Sequence, residues 1–235
     1  PVVGMAGGAI VPPSNYMKNI RKICDKYNIL LIFDEIITGF GRTGKMFAAE
    51  HWNVAPDIMT MGKGLTSGYS PLSAVSTSKK INEVFEDSDS TFMHGITYGG
   101  HPVSCAAGQA SLNMYVKKNM SDHANSKGDI LINAFKKFKH NIIGDVRGLG
   151  LLIGIELVSD QGSKKPFKLN QEVGKFIASK SLEKGVKIYG GKGAEPELMG
   201  DLIIISPPLV IESTQIDKII EVVDETISSA EKEFL

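Results

Sequence analysis

The chain switches between two hydrophobic rhythms. Residues 29–33 and 58–61 are short, continuous apolar runs, Ile29-Leu30-Leu31-Ile32-Phe33 and Ile58-Met59-Thr60-Met61. Runs of this length predict strands covered on both faces, as in parallel sheets. Residues 72–76, 151–157 and 202–205 predict further strands, the last broken by Pro207-Pro208. Between these runs the apolar positions recur at helical spacing. Tyr16, Met17, Ile20, Ile23, Cys24 and Tyr27 share one face of a helix after Pro12-Pro13-Ser14, with Ser14 as its N-cap and Asn28 at its end. Residues 79–85 and the stretch after Pro102 predict two more helices, and Pro102 suits a first turn. Helices are also predicted over 121–139 and over 171–184, the latter stopped by Gly185. Thr214 and Asp217 resemble a capping box opening a last helix, which buries Ile216, Ile219, Ile220, Val223 and Ile227.

Helices and strands that alternate over short connections define an α/β chain. Its character changes near Lys117, where a stretch rich in small residues (Ser104, Ala106, Ala107, Gly108, Ala110, Ser111) gives way to amphipathic sequence. The reading is therefore two domains, residues 1–118 and 119–235. The small residues allow close helix approach and predict dense packing near a dimer core. Residues 86–101, 161–168 and 190–200 read as loops.

Composition narrows the function classes. Lys plus Arg and Asp plus Glu number 26 each, so the net charge is zero and nothing points to nucleic acid or an anionic membrane. No apolar run approaches the roughly 18 residues of a membrane span, and no signal peptide is evident. Cys24 and Cys105 lack metal-type spacing and read as reduced, buried thiols of a cytosolic protein. His51, His94 and His101 are not spaced as metal ligands, and no metal is expected.

Candidate chemistry collects at Asp34 and Lys63. Each follows an apolar run, so both stand at the carboxyl edge of the sheet, where open parallel sheets gather ligands. Isolated buried charges are expensive, and each needs a partner. A cofactor with a cationic nitrogen and an electrophilic carbonyl satisfies both. Residues 39–46 are a near miss for a phosphate loop, with Met46 where a hydroxyl should hold magnesium. The loop also follows the Asp strand instead of preceding it, so a nucleotide site is not the preferred reading.

The stretch Phe33-Asp34-Glu35-Ile36, Gly39-Phe40-Gly41-Arg42-Thr43-Gly44, Asp57-Ile58 and Gly62-Lys63-Gly64-Leu65 resembles the signature of class III pyridoxal-phosphate aminotransferases of fold type I. His94-Gly95-Ile96-Thr97-Tyr98-Gly99-Gly100-His101-Pro102 resembles a second motif of that family. The resemblance implies a partial large domain, mostly parallel sheet with helices on both faces, and a small C-terminal α/β domain. It implies pyridoxal 5'-phosphate as cofactor, bound by Lys63, Asp34, Ile36 and Thr97. Lys63 would carry the cofactor and shuttle the proton. Asp34 would pair with the ring nitrogen. Ile36 would pack against the ring, and Thr97 would reach the phosphate of a neighbouring subunit in a homodimer. Arg42 and Arg147 read as supports of the fold rather than substrate ligands. Residues 1–7 resemble the continuation of a family segment, which implies the C-terminal half of a longer aminotransferase.

The sequence departs from the family where acceptors bind. Val3 and Met5 stand where ornithine-, acetylornithine- and 4-aminobutyrate-type enzymes carry Gln and Glu, and Ile204 where they place a carboxylate-binding Arg. Residues 63–72 resemble the ω-amine:pyruvate version, yet Glu197 occupies the position of that group's mobile Arg. The reading is a cytoplasmic transaminase that moves an amino group from an ω-amino acid or amine to a keto acid, with pyruvate expected. Its carboxylate would be met by residues 190–193, by Lys192, or by an Arg elsewhere. An aminomutase, a decarboxylase, or a fragment inactive alone are the alternatives.

Overall fold

The computed structural model describes residues 1–2, 4, 7–86, 91–193 and 200–235. The chain divides into two compact units. The first holds Pro1, Pro12–Gly41 and Lys45–Met120, and the second holds Val2–Val11, Arg42–Gly44 and Ser121–Leu235.

The first unit is built on three strands, β1 (Ile32–Asp34), β2 (Ile58–Met61) and β3 (Ala74–Thr77), in the order β1-β2-β3. β1 and β2 run parallel, with Ile32 opposite Ile58 and Asp34 opposite Thr60. β3 returns antiparallel along β2. Helix α1 (Tyr16–Tyr27) leads into β1 and ends at Asn28, whose left-handed backbone (φ 53°) is the conformation Asn tolerates best among non-glycine residues. The N-cap is Asn15, not Ser14, and its side chain makes no cap bond. Asp57 braces the entry to the sheet. Its carboxylate accepts from the Leu31 N–H at 2.8 Å and from Arg21 at 2.7 Å. The Leu31 N–H, with Arg21 behind it, holds that carboxyl below its ordinary pKa.

The expected burial of β1 on both faces is not met within this unit. Leu31 and Phe33 are buried, but Ile32 is 56% exposed, and Ile29 and Leu30 are exposed as well. Alternate strand residues leave opposite faces, and this unit covers only one of them.

Helices α2 (Lys79–Glu86) and α3 (Pro102–Lys117) complete the first unit. Pro102 opens α3, and His101 Nδ1 accepts from the Ser104 N–H at 3.5 Å. The buried residues Ser104, Gly108, Ser111 and Tyr115 recur every three or four positions and form one face. This face packs on the segment after β2: a β-carbon on Gly108 would lie 3.0 Å from Leu72 Cδ2. Ser70 and Ser104 hydroxyls meet at 2.8 Å. Cys105 points away and is exposed, against the sequence expectation, while Cys24 is buried.

The second unit carries β4 (Ile143–Leu149), β5 (Leu152–Leu157), β6 (Tyr189–Lys192) and β7 (Asp201–Ile205), antiparallel throughout in the order β4-β5-β7-β6. Its helices are α4 (Met120–Phe135), α5 (Val173–Glu183) and a last helix, α6 (Ser213–Phe234). Ile153, Ile155 and Leu157 of β5 meet Leu131 and Phe135 of α4, Ile177 of α5, and Ile216, Val223 and Ile227 of α6. Each such side chain, fully buried, contributes about 1.5–3 kcal/mol. The other face of β5 is closed by the segment near Gly8, since a β-carbon on Gly154 would sit 2.4 Å from the Gly8 carbonyl oxygen. Here the continuous apolar run is covered on both sides, in an antiparallel sheet.

The sequence assigns no element to residues 143–149 and reads 190–200 as a loop, yet 143–149 and 189–192 are strands. In β6 Gly190 is steric: a β-carbon there would fall 1.9 Å from Gly174 O of α5. At the start of α6 the Glu212 N–H donates to Gln215 Oε1 at 3.0 Å, so the opening pair is Glu212 with Gln215 rather than Thr214 with Asp217.

Candidate active site

Asp34 is the last residue of β1, and its Oδ1 accepts from the Ile36 N–H at 2.9 Å. This local bond is the Asx turn expected where a strand gives way to a loop. Glu35 then takes the opposite face. It is fully buried and accepts from the Ala48 and Ala49 N–H groups at 3.1 and 2.8 Å and from the Thr38 hydroxyl. Two adjacent carboxylates thus have opposite fates. Asp34 is exposed at the sheet edge, and Glu35 pins the glycine turn that follows.

Lys63 lies just beyond β2, at the same edge as Asp34, because the two strands are parallel and Asp34 pairs with Thr60. It opens a 3-10 turn, Lys63–Thr66, and adopts φ 38°. A non-glycine residue in this region carries strain of order 1–3 kcal/mol. The turn is closed by Leu65 N–H to Gly62 O at 2.9 Å and Ser67 N–H to Gly64 O at 3.1 Å. Both Asp34 and Lys63 are exposed, so neither is the buried charge that the sequence led us to expect.

The two motif segments lean on one another through their glycines. A β-carbon on Gly62 would meet Ile36 Cγ2 at 3.6 Å, and one on Gly64 would meet Phe40 Cβ at 3.0 Å. Ile36 therefore lies beside the backbone that leads into Lys63. Phe40 (φ 57°) stacks on Tyr115 at 6.1 Å and meets Phe47 edge-on at 5.4 Å. The Tyr115 hydroxyl donates to Gly64 O at 2.6 Å and meets Ser67 Oγ at 2.8 Å.

Thr97 lies in the irregular stretch before α3 and is exposed, with Gly99 N–H turning back to Ile96 O at 3.0 Å. Asp34, Ile36 and Lys63 share one edge, whereas Thr97 makes no hydrogen bond with them among the described residues. Glu35, Phe40 and Tyr115 were not singled out from sequence. For Tyr115 a signal existed, in its place on the buried face with Ser104, Gly108 and Ser111.

The two arginines hold the second unit together. Arg42 Nη1 donates to Leu151 O at 3.0 Å and Pro207 O at 2.6 Å. Arg147 bonds Gly8 O at 2.9 Å, Asp145 at 2.9 Å and Glu156 at 2.5 Å. Lys192, a candidate acceptor ligand, is engaged elsewhere. It pairs at 2.8 Å with Asp201, which is fully buried and also accepts from the Gly174 N–H at 3.0 Å. Ile204 is 1% exposed within β7. Glu197, Val3 and Met5 lie outside the described residues.

The sequence profile of the family described as Aminotransferase class-III matches residues 1–227. The chain belongs to the class III aminotransferase family. A taurine–pyruvate aminotransferase of Bilophila wadsworthia is 38% identical over 97% of this chain and 51% of its own length. A crystal structure of a transaminase from the marine bacterium Virgibacillus superposes with TM-score 0.93 at 40% identity, covering 99% of this chain and 52% of that one. An amine transaminase from an uncultivated Pseudomonas species, solved in its PLP-bound form, gives TM-score 0.88 at 34% identity over 98% of this chain and 51% of that one. The chain has the mixed α/β fold of these fold type I transaminases. It spans about half the length of the relatives it matches.

Proposed function

We propose that the protein carrying this chain is a PLP-dependent transaminase that passes an amino group from an amine or ω-amino acid to a keto acid. The observation that carries this reading is the shared edge: a lysine on a strained turn, a carboxylate on the parallel neighbouring strand, and Ile36 between them beside Gly62. The family membership and the PLP-bound Pseudomonas relative support the cofactor.

The donor set fits pyridoxal phosphate. Bound there, the cofactor supplies a protonated ring that accepts electrons from the substrate carbon. Asp34 holds a proton on the ring nitrogen through a charge-assisted hydrogen bond. The Asp34 Oδ1 bond to the Ile36 N–H fixes the carboxylate, while Oδ2 has no hydrogen-bond partner among the described residues. Ile36 provides an apolar contact for the ring. Lys63 Nζ would hold the cofactor and, when freed, would serve as the base and acid for the proton on the substrate carbon. Thr97 would donate to the cofactor phosphate of the other subunit in a homodimer. In this reading residues 1–118 form the large domain and 119–235 the small one, although Val2–Val11 and Arg42–Gly44 group with the second compact unit. A cytoplasmic setting is part of this reading.

For the acceptor, we infer pyruvate. Ile204 is buried and apolar, and Lys192 is already paired with Asp201, so neither offers a cation to a second carboxylate. The relative that uses pyruvate by name points the same way. Borohydride reduction of the full-length protein with PLP, followed by peptide mass mapping, tests the core of the proposal. The cofactor mass should appear on Lys63, and its appearance on another lysine would overturn the assignment.

A further inference from the structure

We propose that Tyr115 is a positioning residue for Lys63, acting from α3 through the backbone of the lysine turn. This rests on the reading of Lys63 as the lysine that carries the cofactor. The turn is strained at both ends, since Lys63 at φ 38° and Ser67 at φ 52° both take left-handed backbone without being glycine. Such conformations persist only where the surroundings over-determine them. Within the segment, Leu65 N–H bonds Gly62 O, Ser67 N–H bonds Gly64 O, and the Thr66 hydroxyl donates to Ser70 O at 2.6 Å. The additional restraint is the Tyr115 hydroxyl, which donates to Gly64 O at 2.6 Å and contacts Ser67 Oγ at 2.8 Å.

The tyrosine is itself fixed. It is buried on the α3 face that packs on the turn, and its ring stacks on Phe40. Phe40 in turn occupies the space beside Gly64 that a side chain there would need. Gly64 is therefore held on two sides, by an aromatic wall and by a hydroxyl, immediately after the lysine. Gly64 O also accepts the Ser67 N–H, so a single carbonyl joins the turn's own bond to the helix restraint. Releasing it lets the turn relax, and the Lys63 amine then spreads over positions away from the reacting carbon. A misplacement of this kind lowers turnover more than substrate affinity.

Tyr115→Phe in the full-length holoenzyme tests this, because it keeps the ring and removes only the hydroxyl. The variant should lower kcat about three- to tenfold while KM for both substrates stays within about twofold. It should shift the pH midpoint of the visible absorbance of the lysine-bound cofactor. In the cofactor-free protein, the Leu65 and Ser67 amides should exchange with deuterium several-fold faster, with exchange in β1 and β2 unchanged. Ser67→Ala, which removes only the second contact, should give a smaller change of the same sign and covers the case in which Tyr115→Phe fails to fold. Unchanged exchange, pH midpoint and kcat in a variant still labelled at Lys63 would overturn the Tyr115 role alone. Absence of cofactor on Lys63 in the parent would overturn the underlying reading instead.

Discussion

A methyl group on Gly128 would lie 2.0 Å from the carbonyl oxygen of Gly150. Gly150 is equally confined on its far side, where a β-carbon would fall 2.5 Å from Gly44 N. Helix α4, the bend between β4 and β5, and the Arg42–Gly44 segment are thus stacked at backbone distance within the second unit. Replacing glycine by alanine inside a helix ordinarily stabilises it by about 1 kcal/mol. Gly128→Ala should do the reverse and destabilise by about 1–3 kcal/mol through overpacking. Urea unfolding gives the sign directly, and a gain in stability would mean that α4 shifts freely away from Gly150.

Asp34→Asn should leave folding intact, because the side chain is exposed and its one bond, to the Ile36 N–H, can be made by an amide oxygen. Turnover in the full-length protein should fall by about a hundredfold or more, as a neutral ring is a poor electron sink. Glu35→Gln should show the opposite balance. It loses stability, because three donors converge on a buried carboxylate, and it retains the cofactor where folded. Paired melting curves and initial rates separate the two neighbours.

Asp57 gives the first unit a pH dependence. Its carboxyl sits below its ordinary value in the folded chain, so the unfolded state binds the proton more readily. The stabilisation is complete above the unfolded carboxyl pKa of about 4 and is lost as pH falls through the lower folded value. Asp57→Asn should therefore cost about 1–3 kcal/mol near neutrality and flatten the stability profile below about pH 4. Denaturation midpoints of both proteins between pH 3 and pH 7, in steps of about half a unit, provide the comparison. Equal slopes on the acid side would remove Asp57 from the account.

The full-length enzyme should prefer pyruvate over 2-oxoglutarate by at least about tenfold in kcat/KM, roughly 1.4 kcal/mol. At the positions that the sequence suggests for a carboxylate-binding cation, Ile204 is apolar and Lys192 is paired with Asp201, so neither serves a second carboxylate. An unpaired buried carboxylate costs several kcal/mol. Initial rates with one amine donor and each acceptor settle the matter, and equal rates would require an Arg from another part of the protein.

Much of the site was legible in the sequence because it is short-range. The runs 29–33 and 58–61 each end in a charged residue, and parallel pairing carries Asp34 and Lys63 to one edge without reference to distant residues. What escaped is long-range. β4 contains Gly144, Asp145, Arg147 and Gly148, a poor strand by composition, and it is fixed by pairing with β5 and by the Arg147–Glu156 ion pair. β6 holds Gly190 because α5 presses on it, a constraint that belongs to Gly174 rather than to β6 itself. Likewise the opposite fates of Asp34 and Glu35 depend on Ala48 and Ala49, more than ten residues away. Tyr115 stood on a readable helical face, but its target, the Gly64 carbonyl, is a backbone group that no side-chain pattern announces.

The adjacency of Asp34 and Glu35 makes this stretch intolerant of insertions and deletions in a way that substitutions do not reveal. A strand has a period of two, so a single-residue slip exchanges its faces. Losing one residue from β1 while β2 stays in place would carry Glu35 to the outward position opposite Thr60. The longer acid would then stand at the edge, and the Ala48 and Ala49 amides would lose the carboxylate that satisfies them. The same error would undo chemistry and architecture together. The dipeptide thus works as a parity check on the strand, since only one reading frame of the fold places an acid on each side.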